Sequence, residues 1–213
     1  RTRCDNSWVG RHPPNITTMS NDTLARLMHL MQFADSALPV GGFSFSNTLE
    51  SAIEMGVVCD ESTLAEFTRE IVRQATTTDG VAALNAFRAT KNGDYHSIIR
   101  YDKALNARKA NTEQRLMSQR MGRKLAELFA EITDNDLLRR FCTDIASART
   151  AGTYAVTQGV AFAICEIGER ELFSAVCYGA ASMVLNAALR TMRITHRQTQ
   201  RIIYTLGNKI DVW

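Results

Sequence analysis

The chain has 213 residues, of which 45% are hydrophobic and 22% are charged, and its formal net charge is +3. This length suffices for one well-buried core and leaves little room for a second domain. The low net charge, without a concentrated basic stripe, argues against nucleic acid as a partner. No uninterrupted apolar run approaches the roughly 20 residues that cross a bilayer, and no secretory apolar segment opens the chain. We therefore expect a cytoplasmic protein with no membrane partner.

Residues 1–18 show neither helical nor strand periodicity, and the helical pattern starts only after Met19. We expect this stretch to be a disordered leader or one foreign to the native protein. The folded region is then expected to be 19–213.

Helical periodicity recurs along that region, with Asp, Asn, Thr or Gly at most boundaries and proline almost confined to the start of the chain. The predicted helices cover 21–34, 47–55, 63–76, 79–92, 95–109, 112–132, 135–148, 151–167, 169–191 and 196–207. The sequence thus predicts an all-α, single-domain bundle of about eight to ten helices. Segments 151–191 are rich in Ala, Gly and Ser with apolar residues on several faces, which is typical of central helices that pack in the core or also against a partner.

Two helix starts are predicted from capping-box spacing, in which a polar residue is followed three positions later by Glu. Asn47 with Glu50 is expected to begin the second helix, and Thr63 with Glu66 the third. A further helix is expected to begin at Asp79-Gly80.

Motifs for nucleotide or metal chemistry are absent from the sequence. No Gly-rich phosphate loop occurs, and the four histidines are isolated from one another. Five cysteines are scattered without a C-x-x-C pair, which favours reduced core residues over zinc or disulfides. We therefore expect no tightly bound cofactor, no resident metal site and no catalytic residues.

One segment approaches a catalytic motif. Gly42-Phe43-Ser44-Phe45-Ser46 is one residue short of the G-x-S-x-G nucleophile elbow, but a helix and a proline precede it where a strand is required. A helical serine hydrolase that uses Ser44 is therefore kept as an alternative. A helical interaction module with a purely structural role is a second alternative.

The loop Ala37–Ser46 combines the fixed φ of Pro39 with the freedom of Gly41 and Gly42. Its structural interpretation is a crossover whose phenylalanines plug the bundle while Ser46 or Asn47 caps the next helix. If the loop instead takes part in contacts with a partner, Phe43 and Phe45 are expected to be partly buried.

The run LMQFADSALPVGGFSFSNTLESAIEMGVV, residues 30–58, resembles the signature of the UreF family of urease accessory proteins. Further along, Asp79 heads a predicted helix as in that family, and Glu113-Gln114-Arg115 with Ser118 and Gly122 resembles its E-x-R-x-x-S-x-x-x-G stretch. Ser182 with Ala187 and Arg190 resembles its late helix, in which Ser precedes an A-x-x-R element, while Gln200-Arg201 matches its Q-R. The resemblance covers about residues 22–206.

Three departures from the family pattern stand out. Thr48 replaces a usual glycine, which we expect a helix N-terminus to tolerate. Arg193 and His196 replace proline and glutamine in a P-L-G-Q element. The family's tail ending in S-R-L-[FY]-x-S is not found before Trp213, so a missing C-terminal tail is expected.

The resemblance implies a non-enzymatic, all-α homodimer that bridges UreD (also called UreH) and the GTPase UreG while Ni²⁺ is inserted into apo-urease. On this basis Ni²⁺ is handled only transiently. Arg115 becomes a candidate for a group lent to the GTPase, although an ion pair with Glu113 within the helix is the commoner role for such an arginine. The implied partner-binding or signature residues are Pro39, Gly41, Gly42, Phe43, Ser44, Phe45, Ser46, Glu50, Asp79, Arg115 and Gln200.

Overall fold

The computed structural model describes residues 21–35, 37–42 and 45–210. These ranges hold ten α-helices and no strand, which confirms the all-α prediction. The helices are α1 (Asn21–Ala34), α2 (Leu49–Glu54), α3 (Glu61–Ala75), α4 (Val81–Lys91), α5 (Tyr95–Arg108), α6 (Thr112–Thr133), α7 (Asp136–Ala146), α8 (Tyr154–Ile164), α9 (Glu169–Thr191) and α10 (His196–Gly207). The expected leader at 1–18 and the chain end at Trp213 lie outside the described residues.

A single π-helical turn, Thr76–Gly80, joins α3 to α4 without a break. The predicted helix start at Asp79 is therefore wrong, because the backbone remains right-handed at both ends of the turn. Threonine hydroxyls bind backbone carbonyls here, with Thr76 donating to Arg73 O at 2.7 Å and Thr78 to Gln74 O at 2.8 Å. These side-chain bonds accommodate the extra residue of the wider turn.

Both predicted capping boxes are wrong. The residue that caps α3 is Asp60, whose Oδ1 accepts from Thr63 N at 2.8 Å while Thr63 Oγ1 accepts from Asp60 N at 3.0 Å. The hydrogen bond from the Thr63 amide lowers the pKa of Asp60. Helix α2 has no side-chain cap, so neither Ser46 nor Asn47 plays that part and Glu50 is simply exposed in the first turn.

The core consists of two clusters of buried apolar side chains, and α9 contributes to both. Its N-terminal half, with Leu172 and Val176, packs in the larger cluster, and its C-terminal half, with Val184 and Leu185, packs in the smaller one. Residues 155–163 of α8 are all buried. The prediction of central helices within 151–191 is thus confirmed, although α8 begins at Tyr154 rather than at 151.

Helix α9 is also long and apolar enough to span a membrane by composition, but 56% of its apolar window is buried within the protein. That burial is typical of a central core helix, which must be apolar on several faces.

Candidate partner-binding site

The loop between α1 and α2 is held by hydrogen bonds that two of its backbone amides donate to Asp35. Ala37 N donates to Asp35 Oδ1 at 2.9 Å, and Leu38 N donates to Asp35 O at 3.1 Å. This arrangement points Val40 inward, where it is 6% exposed, and leaves Pro39 at the surface.

The two glycines of this loop have different physical roles. Gly41 has φ +83°, a left-handed conformation that side-chain-bearing residues rarely adopt. At Gly42 an added Cβ would lie 3.0 Å from Met121 Cε, so the absent side chain permits close approach to α6. Phe45 and Ser46 are half-buried, as expected for Phe45, whereas Phe43 and Ser44 lie outside the described residues.

The expectation that Thr48 is easily tolerated needs correction. Asn47 and Thr48 have φ values of +50° and +67°, and Thr48 is the residue directly before α2. A β-branched side chain is disfavoured in this region, which accounts for the glycine usual at this position in the family signature.

A cavity of about 290 Å³ lies beneath the loop. It is bounded by the π-helical turn, the C-terminal end of α5, and helices α6, α8 and α9. Residues from four separate parts of the resemblance line it, among them Val40, Gly42, Asp79, Ser118, Ser182 and Met183. The fold thus gathers segments that are far apart in sequence around one space.

An ion pair closes one side of the cavity. Lys109 Nζ lies 2.9 Å from Asp79 Oδ1, and the two side chains are only 14% and 26% exposed. The pair ties the π-helical turn to the segment after α5. Asp79 was expected to head a helix, but it lies within the π-helical turn and pairs with Lys109.

Arg115 forms a different contact from the predicted intrahelical ion pair. Its guanidinium donates to the carbonyl of Lys109 from NH2 at 2.9 Å and from Nε at 3.2 Å. It therefore satisfies carbonyls that follow the C-terminus of α5, where a cation is favourable.

The next two positions of the same motif fasten α6 to the segment before α8. Ser118 Oγ accepts from Tyr154 N at 3.1 Å. A Cβ added at Gly122 would overlap with backbone atoms of Gly152 and Thr153. Arg115, Ser118 and Gly122 thus position the backbone around the cavity.

Comparison with known proteins shows which family the sequence matches. A family model described as UreF matches residues 58–207. Over 190 residues the chain is 50% identical to urease accessory protein UreF 2 of Brucella canis, covering 88% of this chain and 78% of that protein. Over 185 residues it is 45% identical to urease accessory protein UreF of Yersinia pseudotuberculosis, covering 87% and 81%.

The chain belongs to the UreF family. The resemblance drawn from the signature is therefore confirmed, and a module unrelated to urease is excluded as an interpretation. Residues 30–57, which hold all of the signature run except Val58, precede the stretch matched by the UreF model.

Some signature positions of this UreF-family chain lie away from the cavity. Glu50 is exposed on α2, and Gln200 is exposed on α10, which packs against α3 and α9. Neither lines the cavity. These two residues are available at the surface, where they share no site with Asp79 or Arg115.

The sequence analysis missed a carboxylate, Asp102, that has no solvent exposure. Asp102 is fully buried, and its Oδ2 accepts from Thr150 Oγ1 at 2.5 Å and from the amides of Ala151 and Gly152 at 2.8 Å. Its Oδ1 accepts from Thr153 N at 2.7 Å and from Thr153 Oγ1 at 2.6 Å. These bonds hold 150–153 in a non-helical conformation, with Gly152 at φ +66°, and explain why α8 starts late. The available signal was its place in the apolar stripe of α5 with Ile98 and Leu105.

The polar groups that face the cavity are mostly neutral. Gln158 is 3% exposed and its side-chain amide makes no hydrogen bond to any described residue, and the Ser182 hydroxyl is buried without a partner. Burial raises the pKa of Tyr154 to about 12, so its hydroxyl stays protonated at neutral pH. Within the described ranges no group of three or more His, Cys, Asp and Glu is placed to hold a metal ion. The cavity therefore offers hydrogen bonds and apolar contact.

Proposed function

We propose that this protein is a non-enzymatic assembly factor for urease that acts in the cytoplasm. It forms a homodimer, bridges UreD (UreH) and the GTPase UreG, and takes part in GTP-dependent insertion of Ni²⁺ into apo-urease. The observation that carries the proposal is the 50% identity, over 88% of the chain, to a urease accessory protein.

The use of the motif residues supports an assembly role. Arg115, Ser118 and Gly122 are engaged with backbone groups of their own chain, and Gly42 allows contact between a loop and α6. Such side chains set the shape of a surface, which is what a scaffold between two partners needs.

Ni²⁺ is the cargo of this process. An ion that must pass from one protein to the next is better served by weak oxygen or imidazole ligands than by a closed thiolate cage, which would retain it. We therefore assign no resident nickel ligand to this chain, and expect any contact with the ion to be transient and to depend on the partners.

Complex formation is the decisive test. The chain is run by size exclusion with light scattering, alone and with cognate UreD and UreG, and the mixtures are then used to activate apo-urease with Ni²⁺ and GTP. We expect a dimer that shifts into a larger complex and increases the urease activity recovered. A dimer that ignores both partners and leaves urease activation unchanged would refute the proposal.

The hydrolase alternative has a separate test, because Ser44 lies outside the described residues. We expect a fluorophosphonate probe to label wild type and Ser44→Ala equally weakly. Labelling of the wild type alone would instead support an active serine.

A further inference from the structure

A second depression, of about 440 Å³, lies between α5, α6 and the segment that joins α7 to α8. We call it the cationic groove. Three of its lining residues are basic, one from each element: Lys103, Arg123 and Arg149. No carboxylate is among its lining residues.

Two of the three basic side chains of the groove have no ion-pair partner among the described residues. Lys103 and Arg123 are exposed and form no ion pair with any described residue. Arg149 is bound to Asp144 at 2.5 Å, yet its side chain remains 65% exposed. The buried carboxylate of Asp102 binds Thr150 and Ala151 of the groove and offsets part of the positive charge, which leaves Lys103 and Arg123 as the cations without an ion pair.

The walls of the groove are rigid. Gln119 Nε2 donates to Asn106 Oδ1 at 2.8 Å and links α6 to α5 across the floor. The third wall is the segment fixed by Asp102, so its basic residue is presented from a backbone that is held in place. The rigid backbone fixes where the three basic side chains start, so that only their rotamers have to be ordered when an anion binds.

We propose that the cationic groove binds an acidic segment of a partner protein through Asp and Glu carboxylates. The inference rests on the proposed assembly function and names one surface that serves it. Spread-out guanidinium and ammonium groups match carboxylates distributed along an extended chain.

The backbone of the groove argues against a compact phosphate ligand. Phosphate sites in proteins usually use free backbone N–H groups. Here the amides of Arg149 and Thr150 donate to Asp144 O, and those of Ala151 and Gly152 donate to Asp102 Oδ2. Only side-chain charges are left for the ligand.

The experiment measures binding of a fluorescein-labelled hexaglutamate peptide to the full chain by fluorescence polarisation at low ionic strength. We expect Lys103→Ala/Arg123→Ala to bind the peptide about three- to tenfold more weakly than wild type, because each exposed charge pair contributes modestly. The matched control is Lys91→Ala/Arg197→Ala, which removes the same charge from exposed positions on α4 and α10.

An equal loss in both double variants would mean that the peptide senses only net charge, and would overturn the proposal. Displacement of the peptide by inorganic phosphate at concentrations where acetate has no effect would also overturn it, since the groove would then prefer phosphate. The assay needs no urease component. If peptide binding fails while complexes with UreD and UreG still form, the proposal for the groove is refuted and the proposed assembly role is not.

Discussion

At the scale of single residues, Thr48 carries backbone strain that the sequence conceals. Its φ of +67° places a β-branched side chain in the left-handed region. We expect Thr48→Gly to raise the free energy of unfolding by about 1 kcal/mol, because relief of this strain exceeds the entropy lost with glycine. A urea titration that shows a higher midpoint with unchanged slope would measure it. Ser51→Gly, in the exposed part of α2, should lower the midpoint instead.

Asp102 is the residue whose substitution we expect to cost most. Asn has the same shape, but its NH₂ group cannot accept the hydrogen bonds that one carboxylate oxygen now receives, so buried donors lose their partner. Asp102→Asn should lower stability by about 3 kcal/mol. Thermal unfolding followed by circular dichroism measures this. Glu131→Gln, at an exposed position on α6, serves as the control and should leave the melting temperature nearly unchanged.

The contacts of Arg115 predict a structural role, different from both the ion pair with Glu113 and a group lent to the GTPase. Since the guanidinium binds the carbonyl of Lys109, Arg115→Ala should cost about 1 kcal/mol of stability and leave UreG-catalysed GTP hydrolysis in the complex unchanged. The hydrolysis rate is compared at concentrations that saturate complex formation. A large drop in that rate with the complex intact would show that the arginine is lent to the GTPase.

At the scale of helices, the crossing of α4 and α8 depends on the absence of one side chain. A Cβ added at Gly159 would overlap with the carbonyl oxygen of Ala83, so the two backbones touch. We expect Gly159→Ala to lower stability by about 3 kcal/mol, because backbone atoms cannot move aside cheaply. Gly179→Ala is the matched control, since nothing lies within 4 Å of its added Cβ, and it should raise stability by about 0.5 kcal/mol. Urea midpoints of the pair give the contrast.

Helix existence was predictable because apolar spacing reports burial, and nearly every predicted helix is present within a few residues. The helix starts were predicted less well. Several residue types can occupy a cap, so spacing alone favoured Thr63 where Asp60 does the capping. The π-helical turn was missed because Asp79-Gly80 is typical of a helix start. In the structure the backbone stays right-handed through these residues, and the turn contacts Lys109 and α9.

At the scale of the whole molecule, the cavity could not be predicted from spacing. Its lining comes from segments as distant as Val40 and Met183, and only tertiary packing brings them together. The resemblance did identify several of these residues, because family motifs retain positions that must meet in space. Asp102 and the cationic groove belong to no quoted motif, so that route could not find them.

The cavity and the loop above it yield the last prediction, which separates docking from folding. Gly41 and Gly56 both have left-handed backbones, with φ +83° and +71°, and both are exposed. Valine at either position should therefore cost a similar 1–2 kcal/mol of stability. Only Gly41 belongs to the loop above the cavity, whereas an added Cβ at Gly56 meets nothing within 4 Å.

If the loop docks a partner, Gly41→Val will lose the complex with UreD and UreG while Gly56→Val retains it. Size exclusion with light scattering measures the complex, and circular dichroism shows that both variants are folded. Because the two substitutions impose the same kind of strain, a difference between them reports the surface at the cavity. Loss of the complex in both variants would assign the effect to stability and make the loop a structural element only.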